Sequence, residues 1–349
     1  MNSNVQTIAT TREIRECKSR TASIGSRENW RRLIVVAIVT ASAVSFMTVA
    51  QALPRAAAKR PAGVPEGYAI TPFGYFHPSC VTQLAKGDVL HHDEQTIERA
   101  NGAINNIQAC PYAHYRADGE KVIGDERGLK QPDIGHAWVE WASVTTASSY
   151  GMINAFWNVP PAPATNDGQT VFLFNGMEDL NDVVSIIQPV LGWNSDYASA
   201  WGIASWNCCV NGNVYEATPK PVNSGDLILG TISSTCSAGT ETCSTWDILT
   251  RDLTSGEFSE LVNTSNYGQI FNWAFGGVLE VYNIVQCGDY PNDGPGSNHG
   301  PAIHFYNQEL FNDNFAQIVK PNWEIGTASG LTPSCQYGGS LPEEVILTY

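Results

Sequence analysis

The chain has 349 residues, and its 34 acidic and 19 basic residues give it a net charge of −15. Without residues 1–52, 12 basic and 31 acidic residues remain, for a net charge of −19. Such a surface repels nucleic acid and anionic membranes, so the composition excludes both as partners of the mature chain.

The N-terminus has the pattern of an export signal. Arg31 and Arg32 precede an apolar run, 33–49, which ends in Ala50-Gln51-Ala52, a small-x-small sequence of the kind that a signal peptidase cleaves. Residues 1–52 are therefore predicted to be a signal peptide or, if uncleaved, a signal anchor, since the run is close to the shortest that spans a bilayer. The mature protein is predicted to be secreted and extracellular, without a membrane partner after cleavage.

Eight of the nine cysteines follow the signal, and an even number in an exported chain favours up to four disulfides. Cys236 and Cys243 are close enough in sequence to close one loop, and Cys80 can pair with Cys110 across a short helix. The remaining connectivity stays open. A zinc site is the alternative, but no pair of C-x-x-C motifs has finger spacing, so no metal is predicted.

Residues 53–133 are predicted to be a linker followed by a small, partly helical segment that resembles a propeptide in position. Asp93 is a candidate helix cap, and four apolar residues follow it near the 3.6-residue spacing of a helix: Ile97, Ala100, Ile104 and Ile107. Five histidines lie here or at the edge of this stretch, but without helical i, i+4 pairs they are a weak indication of a metal site.

Residues 134–349 are predicted to form one all-β domain with a C-terminal extension. Short β-type runs alternate with turn residues, and a helix period returns only near 308–315. The predicted strands are 150–159, 170–174, 184–190, 200–206, 226–233, 245–253 and 278–285. Gly256 is expected to supply the positive φ of a hairpin turn after the sixth of these strands. This spacing predicts an antiparallel β-sandwich of concanavalin-like or jelly-roll type.

The familiar motifs of nucleophilic, phosphate-binding and zinc-peptidase sites are missing from the sequence. There is no Gly-x-Ser-x-Gly elbow and no His-Glu-x-x-His. Paired carboxylates in a sandwich cleft can also hydrolyse glycosides, but the chain offers too many candidate pairs for that reading to be specific. A glycosidase and a non-catalytic sandwich that binds carbohydrate or protein therefore remain open.

An ordered series of β-segments, each with a polar residue in an apolar surround, is the most informative feature. The segments are His136–Ala142, Ala155–Pro163, Thr170–Gly176, Ser185–Pro189, Ala200–Trp206, Ser224–Asp226 and Gly277–Val281. This order resembles the glutamic peptidases known as eqolisins, which are secreted acid proteases with a β-sandwich fold, and neprosin-like peptidases are a close neighbouring match. The resemblance covers about residues 134–285.

The resemblance implies a catalytic dyad of Gln188, in Ile186-Ile187-Gln188, and Glu280, in Leu279-Glu280-Val281. It also implies four substrate-binding positions: Trp138, Asn175, Trp201 and Ser205. Asn175 is placed at the aspartate of the family's Asp-Gly pair, and Ser205 where the family has a glutamate. Val281 replaces the tryptophan that usually follows the catalytic glutamate, and the tail from Cys287 exceeds what that fold needs.

The chemistry of the pair can be argued from the residues. A glutamate in an apolar cleft has a raised pKa and can exchange protons at acidic pH, so Glu280 is predicted to act first as general base and then as general acid. The Gln188 amide does not titrate, but its N–H can donate to an oxyanion. The predicted function is a monomeric, secreted acid endopeptidase that needs no cofactor or metal and acts on polypeptides.

Overall fold

The computed structural model describes residues 60–91, 96–122, 137–181, 186–292 and 301–349. In the first two ranges the strands are β1 Ala69–Thr71, β2 Gly74–Phe76, β3 Val81–Leu84, β4 Val89–Leu90, β5 Thr96–Glu98, β6 Ile104–Asn106, β7 His114–Tyr115 and β8 Lys121–Val122. The next two ranges contain β9 Trp138–Thr145, β10 Tyr150–Asn158, β11 Thr170–Glu178, β12 Gln188–Trp193, β13 Trp201–Cys208, β14 Val214–Ala217, β15 Lys220–Val222, β16 Leu227–Ser234, β17 Thr245–Asp252, β18 Phe258–Ser265 and β19 Trp273–Tyr282. The last range contains β20 Ala302–Asn312, β21 Glu324–Thr327, β22 Gly338–Ser340 and β23 Val345–Thr348. Three short 3-10 helices span Pro78–Cys80, Val210–Gly212 and Cys287–Asp289.

Two large sheets form a β-sandwich, which confirms the predicted fold class. The nine-stranded sheet has the order β21-β9-β19-β11-β12-β13-β14-β3, with β15 also paired to β13, and the ten-stranded sheet has the order β22-β23-β20-β10-β16-β17-β18-β4-β5-β6. A third, four-stranded sheet has the order β1-β2-β7-β8. Among the residues described, no helix has the length and apolar character needed to cross a bilayer.

The central strands of the nine-stranded sheet are buried on both faces. Along β11, Val171 and Leu173 belong to the core between the two large sheets, whereas Phe172 and Phe174 belong to a second core on the other face. Because successive side chains of a strand point to opposite faces, a continuous apolar run such as this one indicates a strand covered on both sides. The second face of the nine-stranded sheet, which carries Phe172 and Phe174, is called the covered face below.

The described residues of 60–91 and 96–122, called the covering segment below, supply the second core. Tyr68, Ile70, Tyr75 and Phe76 are buried in one cluster with the aromatic side chains of the covered face. The covering segment also extends both large sheets, because β3 pairs in parallel with β14 and β4 pairs in parallel with β18. It is therefore a layer of the molecule and not a loose tail.

The predicted helix beginning near Asp93 is wrong for the residues that the structure describes, while Asp93 itself lies outside them. Strands β5 and β6 pair antiparallel as a hairpin. Its turn is closed by hydrogen bonds between Arg99 and Ala103 and between Gly102 and Arg99. Asn-Gly is a hairpin signal, and Gly102 has a φ of +82°, so turn chemistry overrides the apparent helix period here.

The helix period near 308–315 is likewise not realised, because β20 runs through Asn312 as the neighbour of β10 and β23. The C-terminal extension therefore completes the sandwich, since it supplies β20, β22 and β23 to one large sheet and β21 to the other. The hairpin between β17 and β18 is confirmed, with Gly256 at a φ of +85°.

The eight cysteines beyond the predicted signal form four disulfides. The predicted Cys236–Cys243 and Cys80–Cys110 pairs are both confirmed, although the described residues between Cys80 and Cys110 form strands and turns, not a helix. The pairs that the sequence left open are Cys208–Cys209 and Cys287–Cys335. The Cys80–Cys110 disulfide lies wholly within the covering segment, and the other three lie wholly outside it.

Candidate active site

Gln188 and Glu280 both point to the covered face. Gln188 is two residues before Val190, and Glu280 is two residues after Val278 and two before Tyr282, all of which belong to the second core. Strand alternation therefore places both side chains on the same side of the nine-stranded sheet. Both residues are buried.

The Glu280 carboxyl lies in a nearly anhydrous, aromatic environment. Its Oε1 accepts a hydrogen bond of 2.7 Å from the Tyr282 hydroxyl, and its Oε2 is buried without a hydrogen-bond partner among the described residues. Burial raises the pKa of Glu280 well above its ordinary value; Tyr282 and the Trp138 indole oppose this rise, and the Glu178 carboxylate adds to it. Burial therefore favours the protonated form of this group while the face is covered.

The Gln188 amide is buried with neither of its polar atoms satisfied. Its side chain has an exposed fraction of 0%, and Nε2 and Oε1 both lack a hydrogen-bond partner among the described residues. Buried amides are normally hydrogen-bonded, because an unmet polar group costs roughly 1–3 kcal/mol. A free donor and a free acceptor at this position are what a ligand or a water molecule would satisfy.

Glu178 is a third polar residue of this face, and the sequence reasoning missed it. It ends β11, is buried, and its Oε2 has no partner within the described ranges. Burial raises its pKa to about 8. The available signal was its position two residues after Gly176, which places it on the same face as Phe172 and Phe174, since β11 pairs with β12 without a register shift.

The strand register fixes how these three residues are arranged. The bridge between Met177 and Ile187 puts Gln188 level with Gly176 and makes Glu178 its diagonal neighbour, about 7–8 Å away between Cα atoms. Glu280, on β19, is level with Phe172 of β11. Phe172 is four residues from Gly176 along β11, or about 13 Å at the usual strand rise.

The register of β11 against β19 shifts between Phe174 and Gly176, because β19 has one more residue there than β11, and such a β-bulge bends β19. Gly176 is required at this point, because a Cβ there would lie 2.5 Å from the Ile186 Cδ1. Gln188 and Glu280 lie on the two strands that flank β11, and by register Glu178 of β11 is the glutamate nearer to Gln188.

The four predicted substrate-binding residues separate into two groups. Trp138 lies on the covered face, where it is paired in register with Glu280 and has its ring 5.0 Å from that of Phe275. Asn175, Trp201 and Ser205 instead point into the core between the large sheets.

The contacts of these three residues explain their placement. The Asn175 amide donates to the Gly230 carbonyl at 3.4 Å, the Ser205 hydroxyl donates to the Ser259 carbonyl at 2.9 Å, and the Trp201 ring lies 5.4 Å from Trp193. Asn175 and Ser205 are each one residue along the strand from a side chain on the covered face. Because successive side chains of a strand point to opposite faces, both residues point away from the covered face. They hold the two sheets together and do not meet Gln188 or Glu280.

The covering segment closes the site. The Tyr75 ring stands edge-on to Tyr282 at 5.6 Å, and its hydroxyl donates to the Asn283 Oδ1 at 3.1 Å. Phe73 lies 6.4 Å from Trp206 on the strand next to Gln188. Access of a polymer to the covered face therefore requires displacement of this segment.

In the part of the chain that the structure describes, no group of three or more His, Cys, Asp and Glu side chains is arranged to hold a metal ion. Another buried glutamate, Glu140, has its pKa raised to about 8 by burial, but it lies near the backbone of Gly338 and Thr348. It therefore belongs to a different environment from that of Gln188 and Glu280.

Comparison with known proteins gives similarity only at the level of solved structures. No protein-family model and no curated protein matches the chain. The chain is similar to scytalido-glutamic peptidase with a peptide-based transition state analogue, at 15% identity and a TM-score of 0.41, over 61% of this chain and 98% of that one. It is similar to SCP-B, a member of the eqolisin family of peptidases in a complex with a tripeptide, at 16% identity and a TM-score of 0.41, over 61% and 98%. It is also similar to the enzymatically active domain of tailspike protein 2 of bacteriophage CBA120, at 13% identity and a TM-score of 0.25, over 49% and 24%.

Proposed function

We propose that the chain is the precursor of a secreted peptidase in which buried glutamates and Gln188 activate water for attack on a peptide bond. The observation that carries this proposal is the set of unmet polar atoms on the covered face, at Glu178, Gln188 and Glu280. Buried, unpaired carboxyls are costly, and perturbed carboxyls gathered on one face are typical of acid–base sites.

The proposed reaction uses Glu280 as the proton carrier. Displacement of the covering segment hydrates Glu280 and lets its pKa fall toward the ordinary value. In its ionised form Glu280 takes a proton from water as the water oxygen bonds to the peptide carbonyl carbon, and it returns a proton to the nitrogen when the C–N bond breaks. The Gln188 Nε2 donates to the oxyanion that forms between these steps. Glu178, as a second carboxyl beside Gln188, keeps one proton in the site when the other glutamate is ionised, because two nearby carboxylates disfavour double ionisation.

The covering segment is proposed to be a propeptide, and residues 134–349 the mature peptidase. Its position over Glu280 and Gln188 supports this division, since the site is closed in its presence. No disulfide joins the segment to the rest of the chain, so one cut of the backbone between the two parts removes their only covalent link.

The test is hydrolysis of denatured casein at about pH 3–4, where a carboxyl-based peptidase is expected to work, after incubation that allows the segment to be displaced. Wild-type chain is compared with Glu280→Gln, Glu178→Gln and Gln188→Ala. Glu140→Gln is the matched control, because Glu140 is a buried glutamate with a raised pKa that lies outside the site.

The proposal predicts that the three site variants lose at least a hundredfold in kcat/KM, the usual contribution of one acid–base group or oxyanion donor. Glu140→Gln retains cleavage. Equal activity of wild type and Glu280→Gln, or equal inertness of all five chains once the segment has been removed, contradicts the proposal.

A further inference from the structure

Tyr75 occupies a recess on the covered face immediately beside Glu280. Its side chain is fully buried, and burial raises its pKa to about 12, so it is present as the neutral phenol. The ring contacts Tyr282 edge-on, and Tyr282 is the residue whose hydroxyl bonds to Glu280. The Tyr75 hydroxyl reaches Asn283, the next residue of the chain. One side chain of the covering segment thus contacts both the hydrogen-bond partner of the candidate catalytic carboxyl and a polar amide.

A pocket of about 380 Å³ continues this recess toward the C-terminal extension. Trp138, Tyr282 and Asn283 line it on the side of the site, and Leu331 and Tyr337 line it on the side of the extension. Pro61, Ala117 and Asp118 of the covering segment form another part of its wall, and that part is removed when the segment leaves.

The wall made by the C-terminal extension is held in place at several points. Strand β21 pairs with β9, and the Cys287–Cys335 disulfide ties the extension to the end of β19. The Tyr337 hydroxyl donates to the Pro333 carbonyl at 2.7 Å and lies 3.1 Å from the Tyr290 hydroxyl. The extension therefore provides a fixed wall that persists without the covering segment.

The fixed walls carry no charged side chain. The one charged residue that lines the pocket is Asp118, and it belongs to the covering segment. An ammonium or carboxylate group entering the pocket would lose water without gaining a counter-ion, which is strongly unfavourable. An aromatic side chain fits the aromatic wall, and Asn283 offers hydrogen bonds to its polar end, since its Nδ2 is buried without a partner among the described residues.

We propose that this recess is the substrate subsite for a tyrosine side chain next to the scissile bond. Tyr75 of the covering segment occupies this subsite in place of the substrate side chain. The proposal rests on the proposed peptidase function of the same site. It assigns specificity to Asn283 and to the C-terminal extension, with Asn283 forming a hydrogen bond to the phenol hydroxyl of the substrate.

The activity test uses peptides that differ at one position at a time on either side of the scissile bond, with Tyr, Phe, Ala or Lys. Wild-type chain is expected to prefer Tyr over Phe by about fivefold at one position, the value of one net hydrogen bond, and to cleave the Lys peptide least. Asn283→Leu is expected to bring the Tyr/Phe ratio of kcat/KM close to one. Asn307→Leu is the matched control, because Asn307 also has a positive φ but is exposed. An unchanged ratio in Asn283→Leu, or a preference for Lys, overturns the proposal.

A binding test separates this proposal from the peptidase proposal. Amide exchange of residues 69–76 is measured in the Glu280→Gln chain with the Tyr peptide and with its Lys counterpart. Faster exchange with the Tyr peptide alone means that it competes with Tyr75 for the recess, and this result supports the subsite even if no chain cleaves peptides. Equal exchange with both peptides contradicts it, even if wild-type chain proves to be a peptidase.

Discussion

The buried glutamates of the covered face predict an unusual pH dependence of stability, and Glu178→Gln isolates one of them. Burial raises the pKa of Glu178 from 4.5 to about 8 in the folded chain. The unfolded chain releases this proton near its ordinary pKa, so between these two values the unfolded state binds fewer protons than the folded state. Stability contributed by this group is therefore fully present below about pH 4.5 and is lost as the pH rises toward 8.

The size of the effect follows from the two pKa values. One tenfold change in a protonation equilibrium is worth about 1.4 kcal/mol, so the ceiling for Glu178 is about 5 kcal/mol. Glutamine has nearly the same shape and does not titrate. Wild type is expected to lose free energy of unfolding between pH 5 and pH 8, and Glu178→Gln is expected to make this loss smaller by up to about 5 kcal/mol. At pH 4 the free energy of unfolding of the variant is expected to stay within about 1 kcal/mol of wild type.

Urea denaturation of wild type and Glu178→Gln with disulfides intact, followed by tryptophan fluorescence from pH 4 to pH 8, measures this difference. The control is Glu343→Gln, which removes an exposed carboxyl from the ten-stranded side of the chain. Identical pH profiles of the two glutamate variants would contradict the effect assigned to Glu178. A wild-type chain that becomes more stable as the pH rises through this range would also contradict it.

Three further predictions concern the covered face and its cover. Gly176→Ala is expected to lower the free energy of unfolding by about 1–3 kcal/mol, since the new Cβ would meet Ile186; urea titration shows it, and an unchanged midpoint refutes it. Tyr75→Phe removes one hydrogen bond, so amide exchange of residues 69–76 should quicken about fivefold, whereas exchange in β16 should not change. Replacing Cys80 and Cys110 together by alanine is expected to loosen the covering segment by about 2–4 kcal/mol, so that limited proteolysis cuts it first; equal protection of the segment in this variant and in wild type would contradict this.

The fold was predictable because its strands are short, are separated by turn residues and carry long apolar runs. The run at Thr170–Glu178 is fully buried, and the sequence predicted its first five residues as strand. The hairpin at Gly256 was predictable for a local reason, since positive φ favours glycine there. Asn101-Gly102 offered the same kind of signal, but the competing helix period of the neighbouring isoleucines concealed it.

The site was only partly predictable because its geometry depends on register. Sequence order predicted Gln188 and Glu280 as a pair, and strand alternation places both on one face. The pairings of β11 with β12 and with β19 decide which glutamate is nearer to Gln188 by register, and neither pairing follows from local sequence. Asn175 failed to reach the site for the same reason, since a difference of one residue turned it toward Gly230.

The two parallel pairings made by the covering segment have a consequence for the chain after its removal. With β3 and β4 in place, β14 and β18 are interior strands of their sheets. Without them, β14 and β18 become open borders with unpaired N–H and C=O groups, which recruit strands from other chains. The chain released from its cover would thus have two open sheet edges, along which the freed segment or another extended chain could pair.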